Sequence, residues 1–417
     1  MNKSMIRYLL AKLLLIEAML LCVPIVVALL NLKNDFVVKD SPTVFISLFA
    51  TIAILLVLGG IGSFFKPKDF HIYAKEGVLI VALCWILWSF FGALPFVFSG
   101  QIPNIIDAFF EVSSGFTTTG ATILNDVSVL SPSLLFWRSF THLIGGMGVL
   151  VFALAIMDNK KNSHLEVMKA EVPGPVFGKI VSKLKNTAQI LYYLYLALFF
   201  LFVVIYFCAG MPLYDSFIIA MGTAGTGGFT VFNDGIAHYH STLITYLVSF
   251  GVLVFGVNFN LYYYIMLRKF KAFFGDEELR TYLMIVGVSS LLIACNIFHL
   301  YHNFADSFEM SFFQVSNVIT TTGFGFGNTV DWPLFSQFLL LMLMVVGGSA
   351  GSTAGGLKVI RCLILARIGK NQIRSTLSPN RVMTLHVNGT ALDKDTQHKI
   401  LKYFVVYTLV TIALIAV

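Results

Sequence analysis

The stretch Phe116-Thr117-Thr118-Thr119-Gly120-Ala121 has two counterparts later in the chain. They read Ala224-Gly225-Thr226-Gly227-Gly228-Phe229 and Thr320-Thr321-Thr322-Gly323-Phe324. In each copy a Thr lies two residues before the aligned glycine, and a Phe lies eleven residues before it. Roughly 100 residues separate successive copies, which is enough for two membrane spans and a short loop. The pattern predicts repeated units around one axis, with the glycine-containing segments facing that axis.

The composition places the chain in a lipid bilayer. Apolar residues make up 57% of the sequence and charged residues only 12%, whereas soluble domains carry about 25% charged residues. Runs of about 20 apolar residues are long enough to cross the hydrocarbon core. Such runs are predicted near 8–31, 43–65, 77–98, 134–157, 189–209, 242–267 and 281–301, followed by an interrupted run at 334–367 and a last run from 402 to the end.

Lysine and arginine are distributed unevenly, which predicts the orientation of the chain. They fill the N-terminus (Lys3, Arg7, Lys12) and the loops around 66–68, 160–185, 268–271 and 367–381. The loops that carry the repeated motif have no Lys or Arg and hold Asp107, Glu111, Asp126, Asp215, Asp234, Asp306, Glu309 and Asp331. The N-terminus is therefore predicted to be cytoplasmic, and the acidic outer mouth to concentrate cations. Topology also accounts for the net charge of +7, so no nucleic-acid partner is predicted.

Each repeated motif follows an apolar segment that is too short to span the membrane. These segments are 107–118, 214–226 and 310–321, and segments of this length are typical of re-entrant helices. Non-helical backbone at membrane depth persists where it is buried in protein or lines a water-filled path. A half-helix followed by an extended Thr-x-Gly strand meets that condition, and converging backbone carbonyls can replace the hydration shell of a cation.

The motifs therefore predict an ion filter, although Gly/Thr motifs also occur as plain helix-packing sites in membranes. Three copies in register, all on the acidic side, favour the filter. The predicted filter residues are Thr118, Thr119, Gly120, Ala121, Thr226, Gly227, Gly228, Phe229, Thr321, Thr322, Gly323 and Phe324.

A second feature is the run Gly347-Gly348-Ser349-Ala350-Gly351-Ser352-Thr353-Ala354-Gly355-Gly356. It does not match a phosphate loop, because Leu357 separates the last glycine from Lys358. A helix is disfavoured here, since each glycine costs about 1 kcal/mol relative to alanine. An unwound stretch at membrane depth is predicted, which acts either as a movable gate or as a kink that eases packing.

Other polar residues are less informative. Arg138 begins a span on the predicted outer side, where snorkelling to the interface is expected, with a carboxylate of a re-entrant segment as the alternative partner. The sequence contains no Ser/His/Asp or His/Glu cluster with catalytic spacing, so an enzyme is not predicted.

The motifs resemble those of the Trk/Ktr/HKT superfamily of K⁺ transporters, and most closely its Trk branch. The resemblance is carried by the following segments: Asp107-Ala-Phe-Phe-Glu111, Thr117-Thr-Thr-Gly-Ala-Thr122, Ile144-Gly-Gly-Met-Gly148, Ala170-Glu-Val-Pro-Gly-Pro175, Gly227-Gly-Phe229 and Gly347 through Arg361. It extends from about residue 8 to the end of the chain.

The resemblance implies an all-α polytopic membrane protein of two leading helices followed by helix–pore-loop–helix repeats around a pseudo-fourfold pore. It implies that K⁺ is the transported ion, with contacts at Thr118, Thr119, Thr226, Gly227, Thr321 and Thr322, and that no organic cofactor lies on this chain. Residues 347–356 are implied to be the gate. A homodimer in the bacterial inner membrane and a cytoplasmic ring of nucleotide-binding regulatory subunits are implied partners.

The resemblance also predicts five regions: a leading segment at 1–70, pore repeats at 71–160, 161–271 and 272–370, and a final region at 371–417. Residues 402–417 resemble the first helix of a fourth repeat, which is expected to be incomplete. The expected function is K⁺ uptake through the carbonyl filter. The alternatives are a Na⁺- or H⁺-coupled transporter of another cation and a non-conducting, truncated pore subunit.

Overall fold

A computed structural model describes residues 2–30, 40–69, 73–146, 148, 184–377 and 384–416. The predictions for 149–157 of the fourth span, for the basic loop at 160–183 and for Ala170–Pro175 lie outside these residues. Over the described residues the chain divides into two compact units. One unit comprises Met1–Phe255 and Thr322–Gly327, and the other comprises Gly256–Thr321 and Asn328–Val417.

The first unit is helical. Its helices are α1 (Lys3–Leu20), α2 (Cys22–Leu30), α3 (Pro42–Phe64), α4 (Ala74–Phe98), α5 (Ile105–Phe116), α6 (Pro132–Gly146), α7 (Leu184–Cys208), α8 (Leu213–Gly225) and α9 (Thr242–Phe255). Helix α1 packs against α3 and α4, and the short helix α5 packs against α4 and α6. Helix α8 likewise packs against α7, α9 and α6.

The second unit contains α10 (Phe259–Met266), α11 (Phe270–Gly275), α12 (Glu277–Tyr301), α13 (Phe304–Ile319), α14 (Leu334–Val346), α15 (Val359–Leu377) and α16 (Lys394–Ile415). Helices α12, α13 and α14 pack on one another. Each motif follows a helix of 12 to 16 residues, namely α5, α8 or α13. In chain order each of these helices lies between two others, at α4–α5–α6, α7–α8–α9 and α12–α13–α14.

Six helices of the described residues are long and apolar enough to cross a membrane. They are Lys3–Leu30, Pro42–Phe64, Lys75–Phe98, Gln189–Cys208, Glu277–Tyr301 and Lys394–Ile415. The predicted polytopic membrane fold is confirmed.

The short helices α5, α8 and α13 begin in a common way. Asn104 and Asn303 cap α5 and α13 by accepting hydrogen bonds from the backbone N–H groups of Ile106 and Ala305. All three carry an aspartate in the first turn: Asp107, Asp215 and Asp306. A carboxylate there is stabilised by the positive end of the helix dipole, so part of the predicted acidic mouth also fixes where these helices start.

Two predicted runs differ from the observed helices. The span predicted at 242–267 is divided, because α9 ends at Phe255 and α10 begins at Phe259. The carbonyl of Gly256 accepts a hydrogen bond from Ser349, and Asn258 caps α10 through the N–H of Asn260. These bonds replace those of a continuous helix. The last helix begins at Lys394, earlier than the predicted 402, since the side chain of Asp393 caps it.

A small β-hairpin is present although only helices were predicted. Strands β1 (His386–Val387) and β2 (Thr390–Ala391) pair antiparallel. The turn is Asn388-Gly389, and both residues have positive φ, 50° and 75°. Asn-Gly is the strongest sequence signal for a two-residue hairpin turn, so this element was predictable from the sequence.

Candidate ion filter and Gly-rich loop

The three motif segments have the same backbone conformation. The threonine two residues before each aligned glycine is left-handed, with φ of 52° at Thr118, 51° at Thr226 and 56° at Thr321. The aligned glycines have φ of 77°, 80° and 79° in the same order. A β-branched residue with positive φ is a true outlier that persists only when its surroundings impose it. The sequence repeat is therefore also a repeat of backbone geometry.

The strained threonines end the short helices. The N–H of Thr118 donates to the carbonyl of Gly115, and the N–H of Thr119 donates to that of Ser114. The second copy repeats both bonds, from Thr226 to Thr223 and from Gly227 to Gly222. Such bonds satisfy helix C-terminal carbonyls and turn the chain sharply out of the helix. Each segment therefore leaves its helix in a defined direction.

The first, second and third segments converge within the first unit. A Cβ built on Gly120 would overlap the carbonyl oxygen of Gly227 and would lie 3.6 Å from that of Thr322. A Cβ built on Gly228 would overlap the carbonyl oxygen of Thr322 and lie 2.9 Å from the carbonyl carbon of Gly323. Only glycine allows backbones to approach this closely. Segments that are distant in sequence therefore place carbonyl oxygens beside one another.

The third aligned glycine has different surroundings. A Cβ on Gly323 would meet no atom of the described residues within 4 Å. Of the flanking predicted residues, Phe229 and Phe324 are buried, while Thr119 and Ala121 are exposed. The hydroxyls of Thr226 and Thr321 donate to the carbonyls of Gly225 and Thr320, respectively.

Arg138 does not snorkel, so that expectation was wrong. Its side chain is buried, and its Nε donates to Oε1 of Glu111, a buried residue of α5, at 2.6 Å. The alternative that was left open, a carboxylate of a re-entrant segment, is the observed partner. Snorkelling failed because the neighbouring helix offers a buried counter-charge, which sequence spacing does not reveal.

The loop that follows the first segment is tied to the loop that follows the second. Asn233 donates through Nδ2 to Asp126 at 3.0 Å, and its Oδ1 accepts from the N–H of Val127 at 3.0 Å. Hydrogen bonds from the side chain and backbone of Ser128 hold the pKa of Asp126 below its ordinary value of 3.8. This carboxylate is therefore ionised at neutral pH.

The Gly-rich run is non-helical, as predicted. Helix α14 ends at Val346 and α15 begins at Val359. Two ladder bonds close the base of the loop, from the N–H groups of Leu357 and Lys358 to the carbonyls of Val345 and Val346. A Cβ on Gly347 would overlap the carbonyl of Gly355, so the two glycine pairs at the ends of the run let the loop fold back on itself.

A buried carboxylate from α12 joins the two sides of this loop. Oε1 of Glu278 accepts hydrogen bonds from the N–H of Ala350 at 2.7 Å and from the N–H of Ile360 at 3.1 Å. The N–H of Gly355 donates to Oγ1 of Thr321 at 2.7 Å. Buried Lys358 donates to the carbonyl of Ala354. Sequence reasoning missed Glu278, because nothing in the spacing links it to residues about 70 positions away.

The same loop contacts the segments that follow it. Ala350 belongs to a buried cluster with Ile360, Ile364, Leu385, Val387 and Ile400, which come from the loop, α15, the hairpin region and α16. Arg367 of α15 forms an ion pair with Glu277 at 2.7 Å. The N–H of Glu277 in turn donates to Oδ1 of Asn388 in the hairpin turn at 2.9 Å. The hairpin and the loop are therefore parts of one packed assembly.

Comparison with known proteins identifies the family of this chain. The profile of the TrkH family, described as cation transport protein, matches residues 44–417. The chain belongs to the TrkH family. A curated relative is the Trk system potassium uptake protein TrkH of Salmonella typhimurium, which is 36% identical over 81% of this chain and 71% of the relative. The Escherichia coli protein TrkG is 32% identical over 88% of this chain and 77% of its own length.

The fold is also that of a solved TrkH structure. The crystal structure of the potassium transporter TrkH from Vibrio parahaemolyticus superposes with a TM-score of 0.87 at 30% identity, covering 99% of this chain and 85% of that one. The suspected Trk-type membership is confirmed. Like the TrkH proteins, this chain is a multi-pass membrane protein.

Proposed function

We propose that this chain forms the pore of a potassium uptake system in the bacterial inner membrane. The observation that carries the proposal is the convergence of three segments that each have a left-handed Thr and, two residues later, a left-handed Gly. The relatives named above are potassium uptake proteins, which supports K⁺ as the cargo.

The proposed filter consists of the predicted residues around Gly120, Gly228 and Gly323. A dehydrated cation needs several oxygen ligands at once, and backbone carbonyls supply them without any net charge. The carbonyls of Gly227 and Thr322 lie beside Gly120 and Gly228, so oxygens from different repeats can contact one ion. The strained threonines hold these carbonyls in place before the ion arrives.

The proposed gate is the loop 347–356. The Glu278 carboxylate ties it to the start of α15, because it accepts from the N–H of Ala350 in the loop and from that of Ile360 in α15. Its packing against the hairpin and α16 provides a mechanical link to the loop region predicted to be cytoplasmic. We propose that a nucleotide-binding partner acts on this region, and that two copies of the chain form a dimer with one pore each.

Uptake by intact cells tests this function. A strain that lacks its own K⁺ uptake systems should grow at limiting K⁺ when it expresses this chain with its cytoplasmic partner, and should accumulate ⁸⁶Rb⁺ with saturation. Excess K⁺ should compete with ⁸⁶Rb⁺, whereas Na⁺ should compete weakly. Gly120→Ser should weaken this discrimination. Saturable uptake of Na⁺ with no competition by K⁺ would favour the Na⁺-coupled alternative and reject the proposal.

A further inference from the structure

Helix α6 places a cation and an imidazole directly against the second filter segment. The guanidinium carbon of Arg138 lies 3.4 Å from the ring centroid of Phe229. The ring of His142, one turn further along α6, stacks on the same phenyl ring with centroids 4.0 Å apart. A Cβ on Gly227 would come within 2.6 Å of the His142 ring. Helix α6 therefore packs directly against the second filter segment.

Glu111 connects the same helix to the first filter segment. Besides Nε of Arg138, its carboxylate accepts hydrogen bonds from Oγ1 of Thr122 at 2.8 Å and from the N–H of Ile123 at 2.9 Å. Thr122 and Ile123 directly follow the residues of the first segment. One buried carboxylate thus links the short helix α5, the exit of the first segment and helix α6.

The charges of this pair are not shielded by water. Arg138 is 2% exposed and Glu111 is fully buried. Among the described residues, Nη1 of Arg138 is buried without a hydrogen-bond partner, and the carboxylate that pairs with this side chain is Glu111. In a site of low effective dielectric, a unit charge acts over longer distances than in water. An unpaired guanidinium beside Phe229 would therefore repel a cation held by the neighbouring carbonyls.

We propose that Glu111 and Arg138 are positioning residues of the filter, and that the neutrality of their pair sets its affinity for K⁺. Arg138 contacts the second segment at Phe229, Glu111 accepts hydrogen bonds from Thr122 and Ile123 at the exit of the first, and each cancels the charge of the other. This inference rests on the proposed function, because it assigns the pair to the same filter.

Charge-changing variants separate this role from a purely structural one. Glu111→Gln keeps the shape and leaves the guanidinium uncompensated. The KM for K⁺ should rise on the order of tenfold, the effect of a unit charge over about 10 Å at an effective dielectric constant of about 20. Arg138→Gln should not raise the KM, because the remaining group is an acid that attracts the cation or takes up a proton. The double variant restores neutrality and should return the KM to within about threefold of the unaltered chain.

The measurement is ⁸⁶Rb⁺ or K⁺ uptake by the full chain over a range of concentrations, normalised to the amount of protein in the membrane. Parallel rises of KM in both single variants, or a double variant worse than either, would overturn the proposal. If the single variants fail to reach the membrane, the KM of Arg138→Lys tests the proposal instead. It keeps the charge but loses the planar group, so an unchanged KM supports the proposal and a tenfold rise refutes it. Absence of saturable K⁺ uptake by the unaltered chain would instead reject the proposed function, and this inference with it.

Discussion

The filter segments and the Gly-rich loop both depend on glycine, but for different reasons. In the filter, the missing Cβ of Gly120 and Gly228 leaves room for backbone from another repeat, more than 90 residues away in sequence. In the loop, the missing Cβ of Gly347 leaves room for Gly355, only a few residues later. The filter segments thus pack closely on other repeats, whereas the loop folds back on itself and is also hydrogen-bonded to Gly256, Phe259, Glu278 and Thr321.

This difference indicates which region can move. A segment packed between repeats can shift only if the repeats shift, while a loop held largely by hydrogen bonds can open locally. The comparison therefore supports the proposal that the filter segments are rigid and that the loop 347–356 is the part that moves.

The largest expected effect comes from adding a Cβ to a filter glycine, and the same change at a loop glycine serves as the comparison. Gly228 and Gly351 both have positive φ, 80° and 69°, so alanine pays the same left-handed strain of about 1–2 kcal/mol at either position. At Gly228 the new Cβ also overlaps a carbonyl of Thr322, whereas at Gly351 its nearest neighbour is the amide end of Asn258 at 3.0 Å. Overpacking adds about 1–3 kcal/mol, so Gly228→Ala should reduce ⁸⁶Rb⁺ uptake by tenfold or more.

Gly351→Ala is the matched control for that variant. Because the amide of Asn258 needs to move only slightly to make room, uptake should not fall below about half of the unaltered rate. Equal losses in the two variants would contradict the distinction between a filter packed on other repeats and a loop that folds back on itself.

A smaller effect is expected from the carboxylate that ties the loop. Glu278→Ala leaves the buried N–H groups of Ala350 and Ile360 without their acceptor, at about 1–3 kcal/mol each. The loop should open more often, and K⁺ flux through the chain alone in proteoliposomes should rise several-fold. Glu278→Gln keeps an acceptor oxygen in place and should raise the flux less. A flux unchanged by Glu278→Ala would argue against the loop as a gate.

The smallest effect is expected at the threonines. Thr321 and Thr226 occupy equivalent positions with the same left-handed backbone. The hydroxyl of Thr321 accepts from the N–H of Gly355, while the hydroxyl of Thr226 donates to the adjacent carbonyl of Gly225. Thr321→Val removes one acceptor, worth about 1 kcal/mol, and should raise basal flux by a few-fold at most.

Thr226→Val provides the control, because it removes a hydroxyl of the same kind from the same backbone conformation. It should not raise the basal flux. If both valine variants raise the flux equally, the hydroxyl of Thr321 has no particular role in holding the loop.

The sequence by itself determined the membrane class, the three repeats and the position of the unwound run. These depend on local composition and spacing: apolar length sets a span, and a Thr-x-Gly pattern sets a strained turn after a short helix. The same local logic explains why Asn388-Gly389 would have predicted the hairpin.

Only the tertiary structure decided the partners of the buried charges. Arg138 was expected at the membrane interface, and Glu278 was not singled out at all. Both side chains are buried, and their partners (Glu111 for Arg138, the N–H groups of Ala350 and Ile360 for Glu278) lie far away in the sequence. The division of the span at 256–258 has the same origin, since the Gly256 carbonyl bonds to Ser349. Burial of a polar group is stable only when its partners are in place, and those partners come from parts of the sequence that local patterns do not connect.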